Sequence, residues 1–241
     1  DTRRPDLTLV YVPHLDYDLQ RYGPSSPQAT AAAAALDEVL APLLSRPDTT
    51  VVALSEYGIT DVHRPVDINR MLRAEGLLSV HRQDGMEYLD PWVSRAFAVA
   101  DHQVAHVYVR DPGDIPAVAK LCAALPGVAE VLDEPDKIRF GVNHARSGEL
   151  VLVAAPDSWF TYYYWLDDAA APDFARCVEI HRKPGYDPAE LFFDPAGPRA
   201  AKGRAALALL RKRIGMRYLM SAVGLDAGGV SACRDQSRVS I

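Results

Sequence analysis

The sequence predicts an α/β protein, a mostly parallel sheet flanked by helices with a small α+β insertion beside it. Three observations carry that prediction. Leu7-Thr8-Leu9-Val10-Tyr11-Val12 and Val51-Val52-Ala53-Leu54 are short apolar runs that stop at polar residues and at proline or glycine, the pattern of strands buried in a parallel sheet. Between them, residues 28–45 set Leu36, Val39, Leu40, Leu43 and Leu44 at helical spacing behind five consecutive alanines. Strand, helix and strand make a βαβ unit, whose right-handed crossover puts both strand ends on one edge. Third, residues 96–155 change character. Apolar stretches at 96–100, 104–109, 128–132 and 150–154 read as short strands, with one helix near 114–124.

The other elements follow from local signals. Residues 65–76 read as a short helix, with Pro65 near its start and Gly76 at its end. A helix over 199–213 carries Lys202, Arg204, Arg211, Lys212 and Arg213, and such a run of charge reads as a wet face. Residues 156–166, PDSWFTYYYWL, form an aromatic cluster with two readings, the lining of a substrate mouth or a piece of core. Residues 181–195 are rich in proline, charge and aromatics, which is loop chemistry. The expected organisation is a core segment over 1–80, a cap-like insertion over 81–160, a return to core over 161–225 and a flexible tail over 226–241.

Composition excludes several classes. The 241 residues are 49% hydrophobic and 24% charged, an ordinary globular balance. A net charge of −6 argues against binding a nucleic-acid polymer, which needs a basic surface. Cys122, Cys177 and Cys233 are far apart in sequence, so neither a zinc ribbon nor a disulfide framework is expected, and reduced thiols in the cytoplasm are. No apolar run approaches the roughly 18 residues of a membrane span, so no membrane partner is expected. The chain starts at Asp1 rather than Met, which raises the expectation that sequence precedes it.

Candidate chemistry rests on carboxylates and histidines placed after apolar runs. Asp16 and Glu56 each follow such a run, and the βαβ reading turns both toward one crevice. Two converging carboxylates can hold a hard cation or act as acid and base; alternatively, each caps the helix that follows it. His14 and Asp16 alternate on a strand-like stretch, which would point them to the same side. Asp101-His102 is a second polar pair directly after an apolar run. His102 and His106 have the separation of a helical zinc pair, but on an extended chain they stand about 13 Å apart. His181 sits beside Arg182 and Lys183, either completing a metal shell with two cations on a phosphate or forming a solvated basic loop. There is no G-x-S-x-G elbow and no phosphate-binding Walker loop.

Four stretches together resemble one family. Tyr11, followed by Leu15-Asp16-Tyr17-Asp18-Leu19-Gln20-Arg21-Tyr22-Gly23-Pro24, is similar to the Pro-Asp-x-x-Gly-His-x-x-Gly-Pro pattern of type I phosphodiesterases and nucleotide pyrophosphatases of the alkaline phosphatase superfamily. Ser55-Glu56-Tyr57-Gly58-Ile59 resembles that family's Ser-Asp-His-Gly-Met, and the stretches SGELVLVAAPDSWFTYYYW and HRKPGYDPAELFFDP are similar to later parts of its bacterial members. The resemblance implies an alkaline phosphatase-like fold with two divalent metals, usually zinc, beside a threonine or serine nucleophile that attacks phosphorus in line. By the same resemblance Asp16 matches a metal-binding aspartate, and Glu56 falls on another. Gln20 and Tyr57 fall on histidine ligands, and the family's closing His-Gly pair is absent from this chain. The nucleophile would lie upstream of Asp1. Oxygen ligands in place of imidazoles shift preference from zinc toward manganese or magnesium.

The resulting expectation is a metal-dependent phosphoric ester hydrolase acting on a phosphorylated small molecule. The metal would be held by Asp16, Glu56 and His181, with His14, Gln20, Tyr57, Asp101 and His102 as further candidates and Arg182 and Lys183 on the substrate. A non-catalytic binding module with a decayed metal site and a phosphoryl or phospho-headgroup transferase are the alternatives on the same scaffold.

Overall fold

Residues 5–13 form no regular element. The computed structural model describes residues 5–55, 57–177, 198–216 and 237–240, and leaves the side chains of 20, 21, 198–201 and 237–240 outside that description. The first two elements are helices, α1 (His14–Tyr22) and α2 (Pro27–Leu44), which pack against each other. α2 begins where its caps dictate. The Ser26 hydroxyl oxygen accepts a 3.0 Å hydrogen bond from the Ala29 N–H, and Pro27 sits in the first turn, where its missing N–H costs nothing. Only small side chains of α2 are buried, Ala29 and Ala32, whereas Val39 and Leu44 are exposed.

After residues 51–57, which are also irregular where described, come β1 (Gly58–Asp61), β2 (Arg64–Val66) and α3 (Ile68–Ala74). β3 (Val80–Gln83) and β4 (Met86–Leu89) make a hairpin on an Asp84-Gly85 turn, both residues having positive φ. β5 (Ala96–Asp101), β6 (Val104–Val109), α4 (Ile115–Ala123), β7 (Val128–Leu132), α5 (Glu134–Phe140) and β8 (Leu150–Ala154) follow, then β9 (Ser158–Phe160), α6 (Pro198–Arg213) and β10 (Ser237–Ser240). The largest sheet has the order β5-β6-β8-β7 and is antiparallel throughout. β2 and β9 pair in parallel, whereas β1 and β10 pair antiparallel.

The architecture is therefore mixed α/β, but a mostly parallel sheet is not what the described residues form. Two expected strands, 7–12 and 51–54, are absent as strands. Their apolar side chains face water, Leu9 at 87% exposure and Leu54 at 85%. A strand needs a neighbour to satisfy its backbone N–H and C=O groups, and neither stretch has one among the described residues. Pro65 begins no helix; it lies in β2, and α3 starts after it, closing near Gly76 at φ +70°.

The core is built on one face of the four-stranded sheet. Ala96, Ala98, Ala100, Ala105, Val107, Leu150 and Leu152 point inward against Ile68 and Leu72 of α3 and Val118 and Cys122 of α4. Alternation along β5 and β6 is the period-two signature of a sheet with one packed face. Asn69 of α3 ties helix to sheet: its side-chain N–H donates to the Ala98 carbonyl at 2.8 Å, and its carbonyl accepts from the Ala98 N–H at 2.7 Å. Burial pushes the Cys122 thiol up to about 12, which makes it inert packing. Cys177 is likewise a free, buried thiol, and Cys233 lies outside the described residues.

The aromatic run resolves as core. Phe160, Tyr162, Tyr164 and Trp165 are fully buried, and Trp159 and Tyr163 nearly so. Tyr163 and Trp165 lie 4.7 Å apart between ring centres, and the Arg70 guanidinium stacks on both. Arg70 donates to the Trp165 carbonyl and to Asp168 at 2.8 Å each, and the Trp165 indole N–H donates to Asp168 at 2.8 Å. A substrate mouth lined by this cluster is thereby excluded. Below it, the buried Glu87 carboxylate is clasped by Arg73 and Arg82. The Arg73 hydrogen bond holds the carboxyl below the usual glutamate range, against the opposing effect of burial, with Arg82 adding to Arg73.

Candidate functional site

Asp16 lies in the first turn of α1, not at a strand end. A carboxylate there interacts favourably with the positive end of the helix dipole. It does not occupy the cap position, which is Pro13. The helix also separates His14 from Asp16. Two positions apart is about 200° around an α-helix, so the pair that would share one side of a strand is split onto opposite sides. His14 is accordingly exposed while Asp16 is half-buried.

The two motif stretches nonetheless meet. The Tyr57 hydroxyl donates a 2.7 Å hydrogen bond to Asp16 Oδ1, across 41 residues of sequence. Tyr57 is half-buried, and next to it the Ser55 hydroxyl donates to the Tyr57 carbonyl at 2.6 Å. The phenol is presented at the start of β1, in the residue before Gly58. Gln20 lies in α1, four residues after Asp16, with its side chain outside the described residues. Glu56, His181, Arg182 and Lys183 also lie outside them.

Asp101 and His102 occupy the β5–β6 turn, with His102 Nε2 3.5 Å from Asp101 Oδ1 and the His102 backbone at φ +54°. The His102 carbonyl accepts from the Phe160 N–H at 2.8 Å, so this turn is an anchor for β9. His106, on β6, accepts at Nδ1 from the Gly148 N–H at 3.2 Å. Burial, with the nearby Lys137 ammonium second, lowers its affinity for a proton, which keeps it a neutral structural residue.

Among the described residues, no group of three or more His, Cys, Asp or Glu side chains stands close enough to hold a metal ion. The described donors alone therefore do not fit a metal centre: they offer the single carboxylate of Asp16, and a phenol is bonded to it. A concavity of about 450 Å³ lies elsewhere, under α5, lined by Ile115, Glu134, Lys137, His144, Ser147 and Glu149 among others. Its buried ammonium is already committed, Lys137 Nζ standing 2.8 Å from both Glu134 and the Gly148 carbonyl oxygen. The sequence reading passed over Lys137; its signal was the Glu134–Lys137 spacing, one helical turn apart.

Comparison with known proteins defines the class. The profile of the type I phosphodiesterase / nucleotide pyrophosphatase family matches residues 1–187. The chain belongs to that family. Comparison with the curated proteins gives no match. Among solved structures it is similar to the phosphonoacetate hydrolase of Sinorhizobium meliloti 1021 in complex with phosphonoformate, at 23% identity and a TM-score of 0.49, over 66% of this chain and 39% of that one. It is also similar to the murine ectonucleotide pyrophosphatase / phosphodiesterase 5, at 17% identity and a TM-score of 0.40, over 63% and 38%. The human counterpart gives 12% identity and a TM-score of 0.40, over 92% and 56%. The chain thus spans well under half the length of the phosphonoacetate hydrolase it matches. Among the described residues, no helix is long and apolar enough to cross a membrane.

Proposed function

We propose that the protein is a phosphoric ester hydrolase acting on a phosphorylated small molecule, and that its site lies where α1 meets residues 51–57. The observation that carries this reading is the Tyr57–Asp16 hydrogen bond, which joins the two stretches bearing the family's site motifs. In this reading Asp16, Glu56 and His181 are the donors to a divalent cation, and Arg182 and Lys183 neutralise substrate phosphate. Donors weighted toward oxygen favour manganese or magnesium over zinc. Asp101 and His102, fixed in an anchoring turn of the sheet, fall out of the donor set, and so does His14, on the far side of α1. Residues 1–80 and 161–225 serve as the scaffold of the site and 81–160 as its cap. The nucleophile is assigned to none of this chain's residues.

The test is turnover of bis(p-nitrophenyl) phosphate by the intact protein with manganese present. Asp16→Ala is expected to lower the rate by at least on the order of a hundredfold. Undiminished turnover in that variant would overturn the placement of the site.

A further inference from the structure

We propose that α6 is a membrane-surface helix, which lays one apolar stripe into the headgroup boundary of an anionic bilayer. The helix holds no Asp or Glu over its 16 residues, in a chain whose net charge is −6. Lys202, Arg204, Arg211 and Arg213 are exposed on it. Among the described residues none of these four is ion-paired, whereas the exposed Arg46, Arg82, Arg95 and Arg139 each have a carboxylate partner. The helix dipole accounts for cations in the last turn and leaves Lys202 and Arg204 without a reason.

The run of charge alone reads as a wet face; the leucines set among it do not. Leu207, Leu210 and Ile214 are exposed at 49%, 57% and 64%. They recur at i, i+3 and i+7, so they share one face within about 60°. Ile214 stays on that face because its N–H donates to the Leu210 carbonyl at 3.3 Å, extending the last turn. By the same period Arg204 and Arg211 border the stripe on one side, and Lys202 and Arg213 on the other. The buried Ala208 and half-buried Ala205 lie on the opposite side of the helix, which turns the stripe outward. A bilayer surface answers both chemistries at once: the aliphatic side chains sink toward the acyl chains while the long basic ones reach headgroup phosphates. A nucleic acid would engage the cations and leave the stripe wet. At about 24 Å the helix falls short of the roughly 30 Å hydrocarbon core, so it lies in the surface plane.

The experiment is flotation of the chain with vesicles of phosphatidylglycerol and phosphatidylcholine in equal parts, against vesicles of phosphatidylcholine alone. Wild type, Arg211→Gln with Arg213→Gln, Leu207→Gln with Leu210→Gln, and Leu209→Gln are compared, each checked for native circular dichroism. Leu209 is exposed as well but lies about 120° from the centre of the stripe. The proposal predicts flotation with the anionic vesicles only. Binding should weaken about thirtyfold in the double arginine variant. It should weaken at least about tenfold in the Leu207/Leu210 variant and match wild type in Leu209→Gln. No flotation of wild type, equal flotation with both vesicles, or equal binding in all variants overturns it. Loss in the arginine variant with undiminished binding in the Leu207/Leu210 variant overturns the inserted stripe. Retention of wild type on immobilised polyglutamate without flotation overturns the membrane and assigns the face to an acidic protein surface.

Discussion

Residues 51–54, VVAL, and β8, LVLVA, are apolar runs of the same composition class, and they end in different states. β8 lies between β6 and β7, bonded on both edges, and Leu150 and Leu152 are fully buried. Among the described residues no strand lies beside 51–54, and Val52 and Leu54 face water. Apolar composition supplies the tendency to be buried; only a neighbouring strand turns that tendency into a ladder. The contrast extends outward. From Val66 to Ala175 one cluster of aliphatic and aromatic side chains closes around α3 and the four-stranded sheet. From residue 5 to 57, the buried apolar residues are Ala29 and Ala32. The proposed site lies in the second, thinly packed region, where small movements cost little.

The largest expected effect breaks the packed region. Trp165→Ala empties a fully buried site and removes the indole bond to Asp168, and should cost about 3–5 kcal/mol in denaturant unfolding. Leu9→Ala, at a position 87% exposed, should stay within about 0.5 kcal/mol. Similar costs for the two would erase the distinction between the regions.

A somewhat smaller effect comes from Glu87. Replacing it with glutamine leaves the Arg73 guanidinium without its countercharge in a mostly buried place, at a cost of about 3 kcal/mol. The pH dependence has a definite sign. The folded pKa of Glu87 is depressed, so its contribution is complete above the ordinary value of 4.5 and is lost as pH falls through the lower folded value. Unfolding of the wild type from pH 6 down to pH 3 should show this loss, and Glu87→Gln should flatten it. An unchanged pH slope in that variant would assign the acid sensitivity elsewhere.

Much of the packed region was legible in sequence. The strands at 96–100, 104–109, 128–132 and 150–154 and the helix near 114–124 appear within a residue or two, because each has its own period and its own partner within 60 residues. The β3–β4 hairpin was equally legible in Gln83-Asp84-Gly85-Met86, a two-residue turn signal that the reading passed over. The site region was harder. His14 and Asp16 alternate on what the sequence suggests is a strand-like stretch pointing both to one side, whereas His14–Tyr22 makes a helix that splits them. The meeting of Asp16 with Tyr57 depends on contacts 41 residues apart, which no local period encodes.

The central claim is that ligand acts on the thinly packed edge and the sheet behind it is support. Hydrogen–deuterium exchange followed by mass spectrometry tests it most directly, comparing the protein alone with the protein in manganese and inorganic phosphate. The account predicts slower exchange in peptides covering residues 14–22 and 51–57, with β5, β6 and β8 already protected and unchanged. Unchanged exchange at 14–22 and 51–57, or new protection confined to residues 133–149 around the cavity under α5, would contradict it.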